Sequence, residues 1–316
     1  MSAHQHTGHD HGQGHGEGHD HGHGHQDKGH GHHDHTHLDW AEMAPLLTAQ
    51  AETQSPMYAA AADWLASLAP ATGAVRRVLD VGSGPGVVTA LLAEAFPEAE
   101  VVAVDGSPEL LALARERADA RGLGDRVATL RAELPGDFDR LGTADLVFAS
   151  NSLHHIGDQG AAVKAFAGLL NPGGVIALAE GGLPTRHLPW NQGIGRPGFE
   201  ARVDAEHAHW FGEMRAALPD AKDEIDDWAA LLTGAGLTPS GTRSFLSDVP
   251  APVPDAVRAQ IVAHYTRLRE GWAERLDGDD RTTMERLLDP AEPLSLHRRP
   301  DLFLLTARTV HTGRKV

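Results

Sequence analysis

The feature of this sequence that most constrains its fold is a glycine-rich turn between a strand and a helix. Residues 75–81, VRRVLDV, end in a short aliphatic run that predicts a buried parallel strand. Residues 82–86, GSGPG, form the turn, and residues 87–96 have helical spacing of apolar side chains. In this layout the backbone can approach a ligand closely, and helix amides can meet an anion. The pattern predicts an α/β protein with a ligand at this turn.

A second strand narrows the class of ligand. Residues 100–104 read as a strand and lead into Asp105, an acid about twenty residues after the turn that can accept both hydroxyls of a ribose. The turn has the form D-V-G-S-G-P-G, beginning at Asp80, rather than G-x-G-x-x-G. These residues favour a nucleoside ligand, while a nicotinamide enzyme or a domain that has lost its ligand stays as an alternative.

Four segments in order along the chain resemble the class I S-adenosylmethionine-dependent methyltransferases. They are RRVLDVGSGPG, VVAVDGSPELLALARERA, ADLVFASNSLHHIGD and LLNPGGVIALAE, and they fall within residues 75–182. The resemblance implies a Rossmann-like, doubly wound, seven-stranded α/β sheet that is mostly parallel, with an antiparallel last strand and helical lid additions. It also implies S-adenosyl-L-methionine as cofactor and a methyltransferase reaction, and we expect a small-molecule acceptor.

The resemblance also assigns cofactor-binding residues. In the family, the glycine turn holds the methionine part of the cofactor and the acid after the second strand holds the ribose. The positions of this chain that correspond are Asp80, Gly82, Ser83, Gly84, Gly86, Asp105 and Gly106. Where many members place an acid before an alanine near the adenine, this chain has Arg131-Ala132-Glu133, so that Ala132 and Glu133 are the candidates there. Ser150 and Asn151, after the fourth strand, complete the set.

Catalytic candidates follow from the position of the fourth strand. Ligands of open α/β sheets bind at the carboxyl ends of the strands, so we expect residues 150–155 to face the cofactor's methyl group. His155, and secondarily His154, are candidate general bases, with a packed structural histidine as the alternative. Methyl transfer also proceeds without a base when the acceptor is aligned with the S–CH₃ bond. Glu180, at the end of the fifth strand, could bind a substrate amine, coordinate a metal or cap the next segment.

Composition suggests three regions outside or around this core. We expect a disordered histidine-rich tail at residues 1–37, an N-terminal helical cap at 38–72, and a methyltransferase domain at 73–316 with helical insertions at about 183–222 and 251–290. The first insertion is the expected wall for an acceptor with a flat portion. Its aromatic and imidazole side chains are Trp190, His207, His209, Trp210 and Phe211.

The tail supports a different class of function. Residues 4–37 carry fourteen of the 22 histidines, interleaved with glycine and acids, which is a composition that can wrap around Ni²⁺, Zn²⁺ or Cu²⁺. The candidate metal ligands are His19, His21, His23, His25, His30, His32, His33, His35 and His37. An expression tag and a native tail of unknown use are both open. The alternative function is a metal-binding or metal-delivery protein whose methyltransferase-like domain is a scaffold.

Charge and composition exclude several partners. The formal charge is −17 with neutral histidine, and no basic patch stands out, so nucleic acid is a poor partner. The absence of cysteine excludes disulfides and thiol chemistry, and no apolar run is long enough to cross a membrane. We therefore expect a cytoplasmic protein, with its oligomeric state left open.

Overall fold

The computed structural model describes residues 40–68 and 74–316. The chain divides into two units, Met1–Leu38 and Asp39–Val316, and the architecture below is that of the second unit. The predicted disorder of residues 1–37 and the predicted metal ligands among their histidines lie outside the described residues.

A seven-stranded sheet forms the centre of the second unit. Its strands are β1 (Arg77–Val81), β2 (Glu100–Asp105), β3 (Val127–Arg131), β4 (Ala144–Ser150), β5 (Leu170–Arg186), β6 (Thr238–Val249) and β7 (Leu304–Arg314). They lie in the order β3-β2-β1-β4-β5-β7-β6. β1 to β5 pair in parallel, and β7 is antiparallel to both β5 and β6. The predicted Rossmann-like, mostly parallel sheet with an antiparallel last strand is therefore confirmed.

Helices cover the sheet and extend one end of it. They are α1 (Trp40–Thr53), α2 (Ser55–Ser67), α3 (Val87–Ala95), α4 (Pro108–Ala120), α5 (Gln159–Leu169), α6 (Phe199–Ala216), α7 (Trp228–Gly234), α8 (Asp255–Trp272) and α9 (Gly278–Leu288). Helices occur in both stretches where insertions are predicted, and two helices precede β1. None of the helices in the described ranges is long and apolar enough to span a bilayer.

Alternation along the strands divides the apolar core into two layers. Val78 and Val101 face a cluster that includes residues of α2 and α3, while Leu79 and Val102 face a second cluster on the opposite side, toward α5 and α7. All four side chains are almost fully buried, as expected for strands covered on both faces. A third cluster packs α6, α8 and α9 against one another around Ile261.

β5 continues further than the sequence suggests. We expected it to end at Glu180, but it pairs with β7 as far as Arg186, so the first insertion begins with strand residues. The reason is that β7 offers a long extended partner. The register shifts between Ala179 and Gly182, where a Cβ on Gly182 would lie 2.1 Å from the Ala307 carbonyl oxygen. The carboxyl end of β5 lies at the same edge of the sheet as that of β4, because the two strands are parallel.

Candidate functional site

The glycine turn is held against β2 and α4 by close backbone approaches. The amides of Gly82 and Ser83 donate to the Val104 carbonyl oxygen at 2.9 and 3.0 Å. A Cβ on Gly82 would lie 2.7 Å from the Cβ of Ser152, and one on Gly86 would lie 2.5 Å from the Cβ of Ala114. Both glycines also have positive φ, which other residues adopt only with strain. These two positions therefore require glycine for packing alone.

Gly84 and Ser83 differ from those two glycines. Gly84 has open space beside its Cα, and Ser83 carries a hydroxyl that forms no hydrogen bond with the described residues. A Cβ on Gly84 would meet nothing within 4 Å, although its φ is +55°. The hydroxyl of Ser83 is buried and has no hydrogen-bond partner in the part of the chain that the structure describes. A buried hydroxyl without a partner costs about 1–3 kcal/mol. This arrangement fits the polar methionine portion of the cofactor that the resemblance implies.

Asp105 is positioned at the end of β2 by the turn itself. Its Oδ2 accepts the Gly84 amide and its Oδ1 accepts the Ser107 amide, each at 2.9 Å. Burial raises the pKa of this carboxyl, and the amide hydrogen bonds oppose that shift. The Gly106 amide also acts on this carboxylate, whose two oxygens offer about four lone-pair sites, so acceptor capacity remains for a hydroxyl donor.

The adenine-side candidates also lie together beside this carboxylate. The amide of Ala132 donates to the main-chain oxygen of Asp105 at 3.1 Å, and Ala132 is buried. A Cβ on Gly106 would lie 2.8 Å from a carboxylate oxygen of Glu133. The structure thus brings Gly106, Ala132 and Glu133 next to Asp105, as the sequence pattern anticipates for one continuous ligand site.

Asp80 lies beneath the turn and has the most unusual acid-base environment there. It is buried, and Thr89 Oγ1 donates to its Oδ2 at 2.6 Å. Burial raises the pKa of Asp80 to about 7; the Thr89 hydrogen bond lowers it, and the nearby charge of Asp105 adds to the rise. The Asp80 carboxyl therefore titrates near neutral pH in the folded protein.

We expect this shift to appear in stability. The pKa of Asp80 is about 7 in the folded protein and near 3.8 in the unfolded chain, so its folded-state protonation stabilises the protein at low pH and is lost as pH rises through about 7. The unfolding free energy of the wild type should fall relative to that of Asp80→Asn between about pH 5 and about pH 8. Urea denaturation at both pH values measures it, with the exposed Asp125→Asn as control. A constant difference between wild type and Asp80→Asn would contradict the assignment.

Glu180 organises the loop that follows β4. Its carboxylate is 4% exposed, and Oε1 accepts the amides of Ser152 and Leu153, both at 3.0 Å. Oε2 lies 3.3 Å from Nδ1 of His154. Of the roles considered for Glu180, these contacts are those of a cap. It caps the turn after β4, an earlier segment of the chain, because β4 and β5 are neighbours in the sheet.

Ser150 and Asn151 connect this loop to α2. The Ser150 Oγ lies 3.1 Å from the hydroxyl of Tyr58, a residue of α2. Asn151 has a φ of 49°, and its amide donates to the Ala179 carbonyl oxygen at 3.2 Å. A left-handed asparagine redirects the chain where the strand ends. Helix α2 therefore reaches the edge at which Ser150 and Asn151 lie.

The two candidate bases stand side by side. The rings of His154 and His155 are 4.2 Å apart. His155 keeps part of its surface exposed, yet the surrounding protein excludes enough water to lower its pKa to about 4, and His154 and Arg215 act in the same direction. The imidazole of His155 is therefore neutral at pH 7 and can accept a hydrogen bond.

One face of α6 covers this loop. Arg215 donates to the carbonyl oxygens of His154 and Ile156 at 2.8 and 3.2 Å, and Phe211 lies 5.5 Å from the His154 ring. His207, one turn before Phe211, stacks on Trp272 of α8 at 4.8 Å. The structure thus places these parts of the first insertion around the β4 loop.

The other residues predicted for this wall lie elsewhere or play a packing role. His209 pairs with Glu213 at 3.2 Å on an exposed surface of α6, as its two-residue offset from His207 implies. Trp210 packs 5.3 Å from Trp272. Trp190 is 75% exposed beside Gly198. Within residues 40–68 and 74–316, no group of three or more side chains is arranged to hold a metal ion.

A buried polar cluster that the sequence did not suggest lies between β5, α6 and α8. Glu200 accepts the Tyr265 hydroxyl at 2.8 Å and the His187 amide at 2.9 Å, and its carboxylate lies 3.4 Å from Nδ1 of His187. Beside it, His264 reaches the surface, yet the surrounding protein and the neighbouring His187 lower the pKa of its imidazole to about 4. Its residues come from three separate elements, so only tertiary packing brings them together. The cluster ties α6 and α8 to the end of β5.

Comparison with known proteins agrees with this geometry. Residues 79–176 match a family described as a methyltransferase domain. The chain is 32% identical over 235 residues to a trans-aconitate 2-methyltransferase of Methylobacterium radiotolerans, covering 65% of this chain and 82% of the relative. It is 31% identical over 267 residues to the enzyme of that name from Methylobacterium nodulans, covering 79% and 92%.

A solved structure of an O-methyltransferase family protein from Burkholderia thailandensis superposes with a TM-score of 0.45 at 17% identity, covering 84% of this chain and 57% of that one.

Proposed function

Since the chain belongs to the class I S-adenosylmethionine-dependent methyltransferases and methylates a small organic molecule, we propose that its acceptor is a carboxylic acid and its product a methyl ester. The observation that carries this proposal is the match to two enzymes named trans-aconitate 2-methyltransferase, one of which is covered over 92% of its length. A match of that extent includes more than the cofactor-binding half of the sheet, since the methyltransferase profile ends at residue 176.

We propose that the turn and the end of β2 hold the cofactor. Ser83 and Gly84 meet its methionine portion, because one supplies an unpaired buried hydroxyl and the other an open approach. Asp105 accepts the ribose hydroxyls with the acceptor capacity that its amide hydrogen bonds leave available. S-adenosylmethionine, when bound, supplies a sulfonium methyl group that a carboxylate oxygen takes as the S–C bonding pair returns to sulfur, giving a methyl ester and S-adenosylhomocysteine with no proton released.

A carboxylate acceptor makes a general base unnecessary. Carboxylic acids ionise near pH 4, so the attacking oxygen already carries its lone pair at neutral pH. We therefore propose that His155 lines the acceptor site as a neutral imidazole and that alignment supplies most of the rate. Glu180 contributes by fixing the turn that carries the two histidines.

This interpretation of His155 has a measurable consequence. We expect His155→Gln to lower kcat less than tenfold, because general-base catalysis, worth about 10²–10⁴ in rate, is not used. The ratio of the wild-type kcat to that of the variant should stay constant from about pH 6 to about pH 9, since the pKa of His155 lies near 4. Steady-state kinetics with trans-aconitate measure both quantities. A loss above a hundredfold would assign His155 a catalytic proton transfer instead.

The direct test of the proposed function is product analysis. Full-length protein is incubated with S-adenosylmethionine and trans-aconitate, and the monomethyl ester and S-adenosylhomocysteine are quantified by mass spectrometry. We expect the two products in equal amounts, and none from the trimethyl ester of the same acid, whose carboxylates are blocked. Methylation of an amine or phenol but of no carboxylic acid in the same assay would overturn the proposal.

The remaining sequence expectations are independent of this chemistry. We propose that the nine candidate histidines between His19 and His37 bind a divalent ion such as Ni²⁺, Zn²⁺ or Cu²⁺, on the strength of composition alone. Equilibrium dialysis of the full chain against Ni²⁺ tests this. We likewise propose a cytoplasmic location, which a chain without cysteine suits.

A further inference from the structure

Arg308 is a half-buried cation whose guanidinium has an unsatisfied donor within the described residues. It lies in β7, opposite Gly182 of β5 and Phe245 of β6. Its Nε is buried and has no hydrogen-bond partner among the described residues. Arg299, which is nearly fully buried, shows the usual arrangement, with two hydrogen bonds to Asp301 at 2.7 and 2.9 Å. Arg308 thus departs from the way in which this protein accommodates a buried guanidinium.

An unpaired guanidinium is costly to the folded state. A buried donor without an acceptor costs about 1–3 kcal/mol, and more when it is charged. Acceptors are abundant in this chain, which has 44 acidic against 27 basic residues. Proteins retain costly groups of this kind where function needs them. The donors of Arg308 are therefore well suited to an anionic ligand.

The position of Arg308 in the sheet connects it to the candidate site. Ser150 of β4 pairs with Ala179 of β5, which pairs with Val310 of β7. These residues point to one face, because Phe148, Ala179 and Val310 share one apolar cluster. Arg308 is two residues from Val310, on the same face and toward the carboxyl edge of the parallel strands. Two strand spacings of about 4.8 Å separate its strand from that of Ser150.

On that face of the sheet, Arg308 lies between two apolar clusters. Phe245 and Val310 belong to the cluster under α2, whereas Leu304 belongs to the cluster under α8. Between them, the side chains of Ser247 and Thr306 are buried and polar. This part of the sheet face, between the two apolar clusters, is therefore suited to a polar ligand group.

The other cations near this edge already have partners. Arg186 forms an ion pair with Asp204, and Arg215 donates to two carbonyl oxygens of the β4 loop. His155 and His264 have pKa values lowered to about 4, so both are neutral at pH 7. Among these groups, as far as residues 40–68 and 74–316 show, Arg308 is the cation with donors to spare.

We propose that Arg308 binds a carboxylate of the acceptor other than the one that is methylated, so that the enzyme selects acids with two or more carboxylates. This inference rests on the proposed function. The bound carboxylate differs from the reacting one because a guanidinium withdraws electron density from an oxygen that must attack carbon. A planar guanidinium can hold the second carboxylate by two parallel hydrogen bonds and thereby fix the orientation of the molecule.

Calorimetry on the full-length protein saturated with S-adenosylhomocysteine tests the proposal without turnover. Trans-aconitate and the monocarboxylate crotonate are titrated into the wild type and into Arg308→Gln. We expect the variant to bind trans-aconitate about 10- to 100-fold more weakly and crotonate unchanged, the size expected for loss of charged hydrogen bonds. Arg308→Lys should recover part of the affinity. Arg243→Gln is the matched control, since Arg243 is exposed on the neighbouring strand and lies 5.1 Å from the Phe245 ring.

A stability measurement separates a binding role from a structural one. Because Arg308 has an unsatisfied donor within the described residues, Arg308→Gln should keep the wild-type melting temperature or raise it, and should keep the affinity for S-adenosylhomocysteine. Equal binding of trans-aconitate by wild type and Arg308→Gln overturns the inference, as does no binding by the wild type. If trans-aconitate binds through Arg308 but no methyl ester forms during turnover, the proposed function fails while the assignment of Arg308 stands.

Discussion

Asp105→Ala is expected to weaken the binding of S-adenosylmethionine at least a hundredfold. The carboxylate is proposed to accept two ribose hydroxyls, and each hydrogen bond to a charged group is worth about 1.5–3 kcal/mol. Every 1.4 kcal/mol corresponds to about a factor of ten in affinity. The substitution also releases the amide of Gly84, which Asp105 now holds at 2.9 Å, so the turn loses one of its supports. Calorimetric titration with S-adenosylmethionine and S-adenosylhomocysteine measures the effect.

Two further variants make that result interpretable. Asp105→Asn keeps the size of the side chain and removes its charge, so its affinity should fall between those of the wild type and Asp105→Ala. Asp125→Ala removes an exposed carboxylate from the loop before β3 and should bind as the wild type does. If a well-folded Asp105→Ala bound either ligand within fivefold of the wild type, the ribose assignment would be wrong.

Substitutions of the turn glycines should separate cofactor binding from folding. Gly86→Ala places a Cβ 2.5 Å from Ala114, so we expect a loss of about 2–4 kcal/mol in the free energy of unfolding from overpacking and backbone strain. Gly84→Ala meets no atom within 4 Å, so only the strain of its positive φ remains, about 1–2 kcal/mol. Yet Gly84→Ala should weaken S-adenosylmethionine binding more than tenfold, because its methyl group enters the space proposed for the cofactor.

The matched control for Gly84 is Gly173. This glycine has a φ of +80° and no atom within 4 Å of an added Cβ, but it lies near the start of β5, far along the strand from Glu180. Gly173→Ala should therefore reproduce the strain of Gly84→Ala without changing cofactor affinity. Urea denaturation and calorimetry on the three variants provide both readouts. Unchanged cofactor affinity in Gly84→Ala would remove the turn from the proposed binding site.

The stability of Arg308→Gln bears on how an acidic protein would select the acidic acceptor that we propose. With a formal charge of −17, the molecule repels polycarboxylates at long range. Selection must then come from local donors in a place with little water, where each hydrogen bond counts for more. The proposed role of Arg308 supplies such donors at a cost in stability. We therefore expect Arg308→Gln to weaken binding of trans-aconitate without lowering the melting temperature.

Sequence patterns predicted the order of strands and helices and the candidate residues of the glycine turn. The glycine turn and the strand before Asp105 could be placed from the apolar periods of strands and helices, and the loop after β4 from the resemblance to a known family. In a parallel sheet, the residues that follow each strand necessarily meet at one edge. That reasoning is why Gly84 and Asp105 were expected together, and their hydrogen bond is a consequence of chain geometry.

Tertiary structure alone decided the remainder, because it depends on pairings between distant residues. The sequence predicted a strand, a glycine turn, a helix and a second strand leading into Asp105, and its resemblance to a known family implied the seven-stranded sheet. It did not determine that Glu180 caps the β4 loop or that the pKa of His155 falls to about 4. Nor did it show that Arg308 Nε has no partner in the described part of the chain, since its burial arises only when β5, β6 and β7 pair and the helices pack over them.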